Sequence, residues 1–411
     1  FDLRNPNAPI PQFVNAMKMA GIEITAEQVV QGITYETLRD EDGNPFVVAV
    51  HNLDPNLLLK QYRELAGQYP LFYYEVKVQR WTAVDTTKKL SKTANFPIGV
   101  LLMPDVLKSI EPTRNNFLIG VATSNILKIT YNNANTPPNR YDFNWPDSQI
   151  ELARALGLKV RFHILINRDR MPKGLENASN EEFVSFLERY FTGVFSHFET
   201  KFPGIVVECD ILGEARPNEP ARDFYAAKFG PQYPSLIFEI AYRVRNRVSP
   251  NIKIGYIDTN NFLPSSSATE VNKNLILPQI AQYIDYYGVE GHLSSNSLTP
   301  QNLRSVIETL RDYKRIIGNK TILITENDIS IEKDNSPARF LNQAFTLYLF
   351  LKAADNTSVQ SFTFWGIGDK YSWLGPNAHA TPFDDEFNPK LSFYVLNKFL
   401  LEKAIGISGA P

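Results

Sequence analysis

Two glutamates stand out in this chain by where they fall. Glu214 follows the apolar run Ile205–Leu212, and Glu326 follows the apolar run Thr321–Thr325. Two carboxyls held across a cleft can cleave a glycosidic bond. A separation of about 5–5.5 Å lets one of them attack the sugar carbon, with retention; roughly 6.5–9.5 Å leaves room for water, with inversion. The bland alternative pairs each Glu with a nearby Arg or Lys, and position alone leaves both readings open. Other polar residues also end apolar runs: Asn125 and Lys128, His163 and Arg168, Asp258 and Asn260, Glu290 and His292, then Trp365 and Trp373. His292 is either a partner of Glu326 or a satisfied core histidine. Trp365 and Trp373 flank Gly366-Ile367-Gly368-Asp369 and serve either the core or a sugar-stacking floor. Carboxylates, a His and Trp rings around one mouth suit a neutral polyhydroxylated ligand.

The elements that must position these residues follow from hydrophobic patterning. Eight short apolar runs recur after residue 95: Phe96–Met103, Phe117–Ala122, Val160–Ile166, Ile205–Leu212, Ile252–Ile257, Tyr286–Val289, Thr321–Thr325 and Ser361–Trp365. Their lack of alternation fits strands buried on both faces. Helical spacing fills the intervals at Asp147–Leu156, Glu181–Phe198, Leu236–Val248, Pro300–Tyr313 and Pro337–Ala354. Eight such units predict an α/β protein, a (β/α)8 barrel over residues 96–405, with its chemistry at the C-terminal strand ends. No G-x-G-x-x-G follows a strand to favour an open dinucleotide-binding sheet. Residues 1–95 read as a small N-terminal α+β extension. It contains a hairpin, Ile33–Leu38 and Phe46–Val50 around Asp42-Gly43-Asn44-Pro45, a helix over Leu57–Ala66 and strand signals over Leu71–Val84.

Composition narrows the classes. Against 42 Lys and Arg stand 44 Asp and Glu, a formal net charge of −2, with no basic tail. That argues against nucleic-acid partners. No apolar run approaches a membrane span. A single Cys among 411 residues excludes an internal disulfide framework. Neither H-E-x-x-H nor a G-x-S-x-G elbow is present, so no metal, no cofactor and no serine nucleophile is expected. The chain starts at Phe1, and the expectation is a mature or trimmed form. Separately, a monomer is expected, and secretion only because polymer-degrading enzymes are exported. Aromatics reach 12%, with 27 Phe, 19 Tyr and 4 Trp. Most are assigned to the core.

The strand ends resemble glycoside hydrolase family 10, the endo-β-1,4-xylanase family. Thr363-Phe364-Trp365-Gly366-Ile367-Gly368-Asp369-Lys370-Tyr371-Ser372-Trp373 is similar to its eighth-strand motif. Ile324-Thr325-Glu326-Asn327-Asp328-Ile329 resembles the segment that carries the nucleophile. Cys209-Asp210-Ile211-Leu212-Gly213-Glu214-Ala215 resembles the segment that carries the acid/base, and Gly288-Val289-Glu290-Gly291-His292-Leu293 the sixth strand. The resemblance implies that Glu326 attacks the anomeric carbon and that Glu214 protonates the leaving oxygen. It also implies that His292 orients Glu326, that Asn125 and Lys128 bind glycone hydroxyls, and that Trp365 and Trp373 stack on sugar. Several positions depart from the pattern. Gly213 replaces an Asn before the acid/base, and Asn167-Arg168 replaces Trp-His. Arg170 and Glu290 each replace Gln, Ser124 replaces Glu, and Thr259 replaces Tyr. An unpaired Glu290 would raise the pKa of Glu326. The mild reading is that Arg168 or Arg170 neutralises it, an Arg–Glu swap that preserves local charge; the sharper reading is an altered glycone, acidic or differently configured. A glycan-binding protein without catalysis is the alternative from another class.

Overall fold

Each of the eight apolar runs forms a strand in the computed structural model, which describes residues 4, 8–40, 42–51, 81–83, 89–107, 116–123, 141–170, 175–295, 297–298, 300–331 and 337–406. The strands are β4 (Ile98–Leu101), β5 (Phe117–Thr123), β6 (Lys159–Asn167), β7 (Val206–Gly213), β8 (Lys253–Thr259), β9 (Tyr286–Ser294), β10 (Thr321–Ser330) and β11 (Phe362–Phe364). They pair in parallel in chain order, and β11 closes the barrel against β4 with Phe362 opposite Ile98. Before them lie β1 (Ile33–Arg39), β2 (Pro45–His51) and β3 (Trp81–Ala83), a separate antiparallel sheet. The predicted hairpin is its first pair, with Leu38 opposite Phe46. Asp40 holds the turn by accepting from Asn44 N at 2.8 Å, and Gly43 takes a φ of 81°. The helix expected over Leu57–Ala66 lies outside the described residues, and of the Leu71–Val84 strand signals only β3 lies inside them.

Two of the five predicted barrel helices begin where expected, at Pro300 and Pro337, and the other three begin earlier, at Asn144, Asn180 and Tyr233. The stripe at Leu236 belongs to a helix that starts at Tyr233, because Pro234 in its first turn needs no N–H partner. Helix Asn180–Lys201 starts at a capping box. Ser179 Oγ accepts from Glu182 N at 3.2 Å, and Glu182 Oε2 accepts from Ser179 N at 2.8 Å. Its Phe183, Phe186, Leu187, Tyr190, Phe191, Val194, Phe195 and Phe198 are all buried, and Tyr190 OH donates to Leu165 O of β6 at 3.1 Å. Much of the aromatic excess is this core.

Helix Leu391–Ala404 is buried all round from Leu391 to Leu401. A helix apolar on every side needs cover on every side. The extension supplies part of it: Phe13, from helix Pro9–Met19, meets Tyr394 edge-on at 4.9 Å. On the barrel side, Phe96 meets Phe399 at 5.0 Å and Asn116 Nδ2 donates to Asn397 Oδ1 at 2.8 Å.

Inside the barrel, close packing prepares the site. A Cβ on Gly255 would stand 2.2 Å from the Tyr286 ring, so only glycine lets that ring lie flat across β8. The Tyr286 hydroxyl then reaches Asp210 Oδ1 at 2.6 Å. Ile164, Ile257, Tyr286 and Leu323 form a small apolar cluster within the ring of strands.

Candidate active site

Glu326 lies on β10 and Glu290 opposite it on β9. Both are buried, 5% and 4% exposed. Period-two alternation puts His292 on the face of Glu290 and Asp328 on the face of Glu326. His292 Nε2 is 3.3 Å from Glu326 Oε1, and its Nδ1 is 2.9 Å from Asp328 Oδ1. Trp373 Nε1 donates to Asp328 Oδ2 at 2.7 Å. The Trp373 ring meets the His292 ring edge-on at 5.2 Å and is 62% exposed. From β6, His163 Nε2 approaches Glu326 Oε2 to 3.9 Å while its Nδ1 bonds Asp210 Oδ2 at 2.8 Å. Trp365, half-buried just past β11, meets the His163 ring edge-on at 5.1 Å.

Asp210 anchors a layer below. It is fully buried and takes bonds from Arg161, His163 and Tyr286, brought together from β6, β6 and β9. Arg161 Nη2 also donates to Thr325 O at 2.7 Å, directly behind the nucleophile candidate. Burial alone would raise the Asp210 carboxyl, but Arg161 and then His163 outweigh it and hold it below the usual carboxylate range.

Glu214 stands at the end of β7 with a φ of 52°. A non-glycine residue in the left-handed region is uncommon, and such backbones collect at functional sites. Glu214 N donates to Ile257 O at 3.0 Å and Ala215 N to Tyr256 OH at 3.1 Å, so β8 fixes the turn. Beneath it Arg216 Nη1 bonds both oxygens of Asp258 at 3.1 and 2.9 Å.

These surroundings drive the carboxyls apart. Burial and the charge of Asp258 raise Glu214, against the opposing charge of Arg168. Burial would raise Glu326 too, but the His292 hydrogen bond and the charge of His163 bring it below its ordinary value. For His292, burial opposes protonation, yet its bonds to Asp328 and Glu326 lift it to about 10. Glu290 goes far up: burial comes first, then the charges of Glu326, Glu214 and Asp258.

Glu290 corrects an expectation. No Arg neutralises it. Arg168, just past β6, reaches Asp169 at 3.3 Å, and its charge acts on Glu214. Arg170 is exposed. Burial and the neighbouring carboxylates favour the un-ionised form of the extra carboxyl, while the His292 hydrogen bond keeps Glu326 below its ordinary value. Glu290, His292 and Glu326 present ligand-type atoms within 4.8 Å of one another.

The structure thus gathers Glu326, Glu290, His292, His163, Trp365 and Trp373, with Glu214 close enough for its charge to be felt at Glu290. Asn260 sits exposed at the rim with a φ of 51°. Ser124, Asn125 and Lys128 lie outside the described residues. Asp328, Asp210 and Tyr286 were not singled out as site residues from the sequence. Asp328 had a signal, two places beyond Glu326 on the same strand face. Gly213 also has a local cause: a Cβ there would stand 2.6 Å from Ile164 Cδ1, which fills the space of the missing side chain. Cys209 is buried and free, and burial pushes its thiol far up, as suits a packing residue.

A closed eight-stranded parallel barrel with two candidate carboxyls in opposed environments at its C-terminal mouth is an arrangement that glycoside hydrolases use. The comparisons make the class specific. The family model "Glycosyl hydrolase family 10" matches residues 91–398, and the chain belongs to that family as an endo-1,4-β-xylanase-like glycoside hydrolase. Endo-1,4-beta-xylanase A of Thermotoga neapolitana is 28% identical over 278 residues, 62% of this chain and 25% of that protein. Beta-1,4-xylanase of Dictyoglomus thermophilum is 25% identical over 330 residues, 70% of this chain and 90% of that protein. The chain thus spans a quarter of one relative's length and nine-tenths of the other's. The crystal structure of xylanase 10B from Thermotoga maritima covers 78% of this chain and 99% of its own, with TM-score 0.65 and 24% identity. TsXylA, an intracellular xylanase of Thermoanaerobacterium saccharolyticum, covers 75% and 98% with TM-score 0.63 and 21% identity. At these identities the two structures establish the fold alone.

Proposed function

We propose that this chain hydrolyses β-1,4-linked xylan or xylo-oligosaccharide with retention. Glu326 is the nucleophile and Glu214 the acid/base. The observation that carries the reading is the pair of opposed environments: the His292 hydrogen bond and the charge of His163 lower Glu326 against its burial, while burial and the charge of Asp258 raise Glu214. In the first step a Glu326 oxygen bonds the anomeric carbon as the glycosidic bond breaks, and the Glu214 proton passes to the leaving oxygen. In the second, Glu214 takes a proton from water, whose oxygen displaces Glu326. Trp373 and Trp365 offer ring faces to the sugar. His163, Arg168, Asn260, Glu290 and His292 line its surroundings, and Asn125 and Lys128 complete the hydroxyl contacts.

A second reading changes the glycone. Ile164 occupies the place beside Gly213, so an apolar methyl faces where a hydroxyl-binding amide is expected. Arg168, 19% exposed in its side chain, is a charged group suited to an anionic substituent. A panel of plant polysaccharides and aryl glycosides, with the product anomer followed by NMR, separates the readings. Release from xylan with a β-anomer first formed supports the proposal. Release from another glycan with none from xylan overturns the substrate, and an α-anomer overturns the double displacement.

We also take residues 96–405 as the catalytic domain and 1–95 as an extension, which the packing of Phe13 on Tyr394 supports as a cover for the last helix. Export and a single-chain working unit accompany the reading; the described site residues all come from one barrel. No helix among the described residues is long and apolar enough to cross a membrane.

A further inference from the structure

Two ionised carboxyls buried against each other repel, so such a pair favours holding one proton between them. Glu290 and Glu326 are such a pair. They oppose one another across the β9–β10 ladder, both buried, with carboxyl oxygens within 4.8 Å of each other and of the His292 ring. Their surroundings are unequal. Glu326 has His292 Nε2 at 3.3 Å on one oxygen and His163 Nε2 at 3.9 Å on the other. Glu290 has His292 Nε2 at 3.9 Å from its own strand. The charges that act on it most strongly are carboxyls: Glu326 from β10, Glu214 from the end of β7 and Asp258 from β8. Among the described residues no Lys or Arg pairs with it. Geometry therefore puts the shared proton on Glu290 and the negative charge on Glu326.

We propose that Glu290 is a positioning residue that works only as an un-ionised carboxylic acid. Its O–H donates to Glu326, and its ionisation shuts the enzyme at alkaline pH. The inference rests on Glu326 being the nucleophile. The Glu290 proton is not transferred in either half-reaction. When Glu326 becomes an ester, the O–H faces a neutral acceptor. When water releases the sugar, it faces a returning carboxylate and stabilises that leaving group, so its contribution falls mainly on the second step. Loss of the proton places a second fixed anion against the nucleophile, which then gains a proton of its own or loses its alignment.

The variant Glu290→Gln keeps a donor of the same shape and cannot ionise. Wild type and E290Q are compared from neutral to alkaline pH on a dinitrophenyl β-xylobioside, in the presence of a chelator, each normalised to its own maximum. That leaving group departs without a proton, and in the second step Glu214 acts in its ionised form, so the alkaline limb does not report the loss of the Glu214 proton. The wild type is expected to lose activity about tenfold per pH unit beyond its midpoint, and the limb of E290Q to lie at least a full unit higher. Superimposable limbs overturn the proposal. A second measurement needs no turnover. The infrared difference spectrum of wild type minus E290Q at neutral pH should contain the carbonyl band of an un-ionised carboxyl, fading over the same pH range. Absence of that band also overturns the proposal. If neither protein cleaves the aryl glycoside, the substrate reading fails, while the infrared spectrum still decides where the proton sits.

Discussion

His292 presents one ring nitrogen to each of two carboxyls, 3.3 Å from Glu326 and 2.9 Å from Asp328, and so holds Glu326 from behind as an imidazolium. Asp328→Asn removes one of the two anions. His292 then falls from about 10 toward the ordinary imidazole value of about 6.5, and Glu326 rises. The acidic limb of kcat/KM, which reports ionisation of Glu326, is expected to move to higher pH. A limb that stays in place would show that Asp328 serves Trp373 alone.

The same imidazolium links stability to pH. Its folded pKa is raised above the unfolded value, so its stabilisation is complete below about 6.5 and is lost as pH rises through about 10. The thermal midpoint is expected to decline across that window in the wild type and more weakly in His292→Asn. Equal declines in both would locate the alkaline sensitivity elsewhere.

Removing the two catalytic candidates should give different signatures. Glu326→Gln is expected to lower kcat by roughly 10³-fold or more on every substrate. Glu214→Gln is expected to cost about 10²–10⁴-fold on xylan and far less on an aryl glycoside with a good leaving group. Rates on the two substrate types check both, and equal losses on both substrates for Glu214→Gln would remove its acid role.

Gly213 and Ile164 form a matched pair. Gly213→Asn alone forces a Cβ to 2.6 Å from Ile164 Cδ1 and should destabilise by about 1–3 kcal/mol. Adding Ile164→Ala frees the space and should recover much of that loss. Urea denaturation of the single and double variants measures the coupling. Additive effects would mean that the two side chains do not compete.

The loop bearing Trp373 is tied down by a buried ion pair. Lys390 Nζ bonds Asp369 Oδ1 and Oδ2 at 3.2 and 3.1 Å and the carbonyls of His379 and Thr381 at 2.6 Å each. Lys390→Met leaves Asp369 buried without its cation, at a cost of about 3–5 kcal/mol. Chemical denaturation would show it, and a loss below 1 kcal/mol would mean that the loop re-forms around a relaxed Asp369.

Strand positions were legible because a barrel strand is apolar on both faces, and all eight runs formed strands. Glu214, Glu326 and His292 were legible as polar residues ending such runs. Asp210 was less so: its partners Arg161, His163 and Tyr286 come from β6 and β9, and only the register of neighbouring strands brings them together. Arg168 misled for the same reason. Its charge sign matched Glu290, but the turn after β6 carries it toward Glu214 and Asp169. How Glu290 is neutralised depends on what surrounds it in three dimensions, which spacing along the chain does not encode.

The pairing of β11 with β4 bears on how the protein is made. Phe362 lies opposite Ile98, so the ring is sealed by its earliest and latest strands. During synthesis Glu214 emerges from the ribosome well before Phe362 and Glu326 somewhat before it, and until then the open sheet has two unpaired edges. Folding to an active form is therefore a late event, completed only when the last helix reaches Phe13 and Tyr394 packs against it. Until that moment the nascent chain exposes its apolar strands, which makes it a client for holding chaperones and leaves truncated products prone to aggregation.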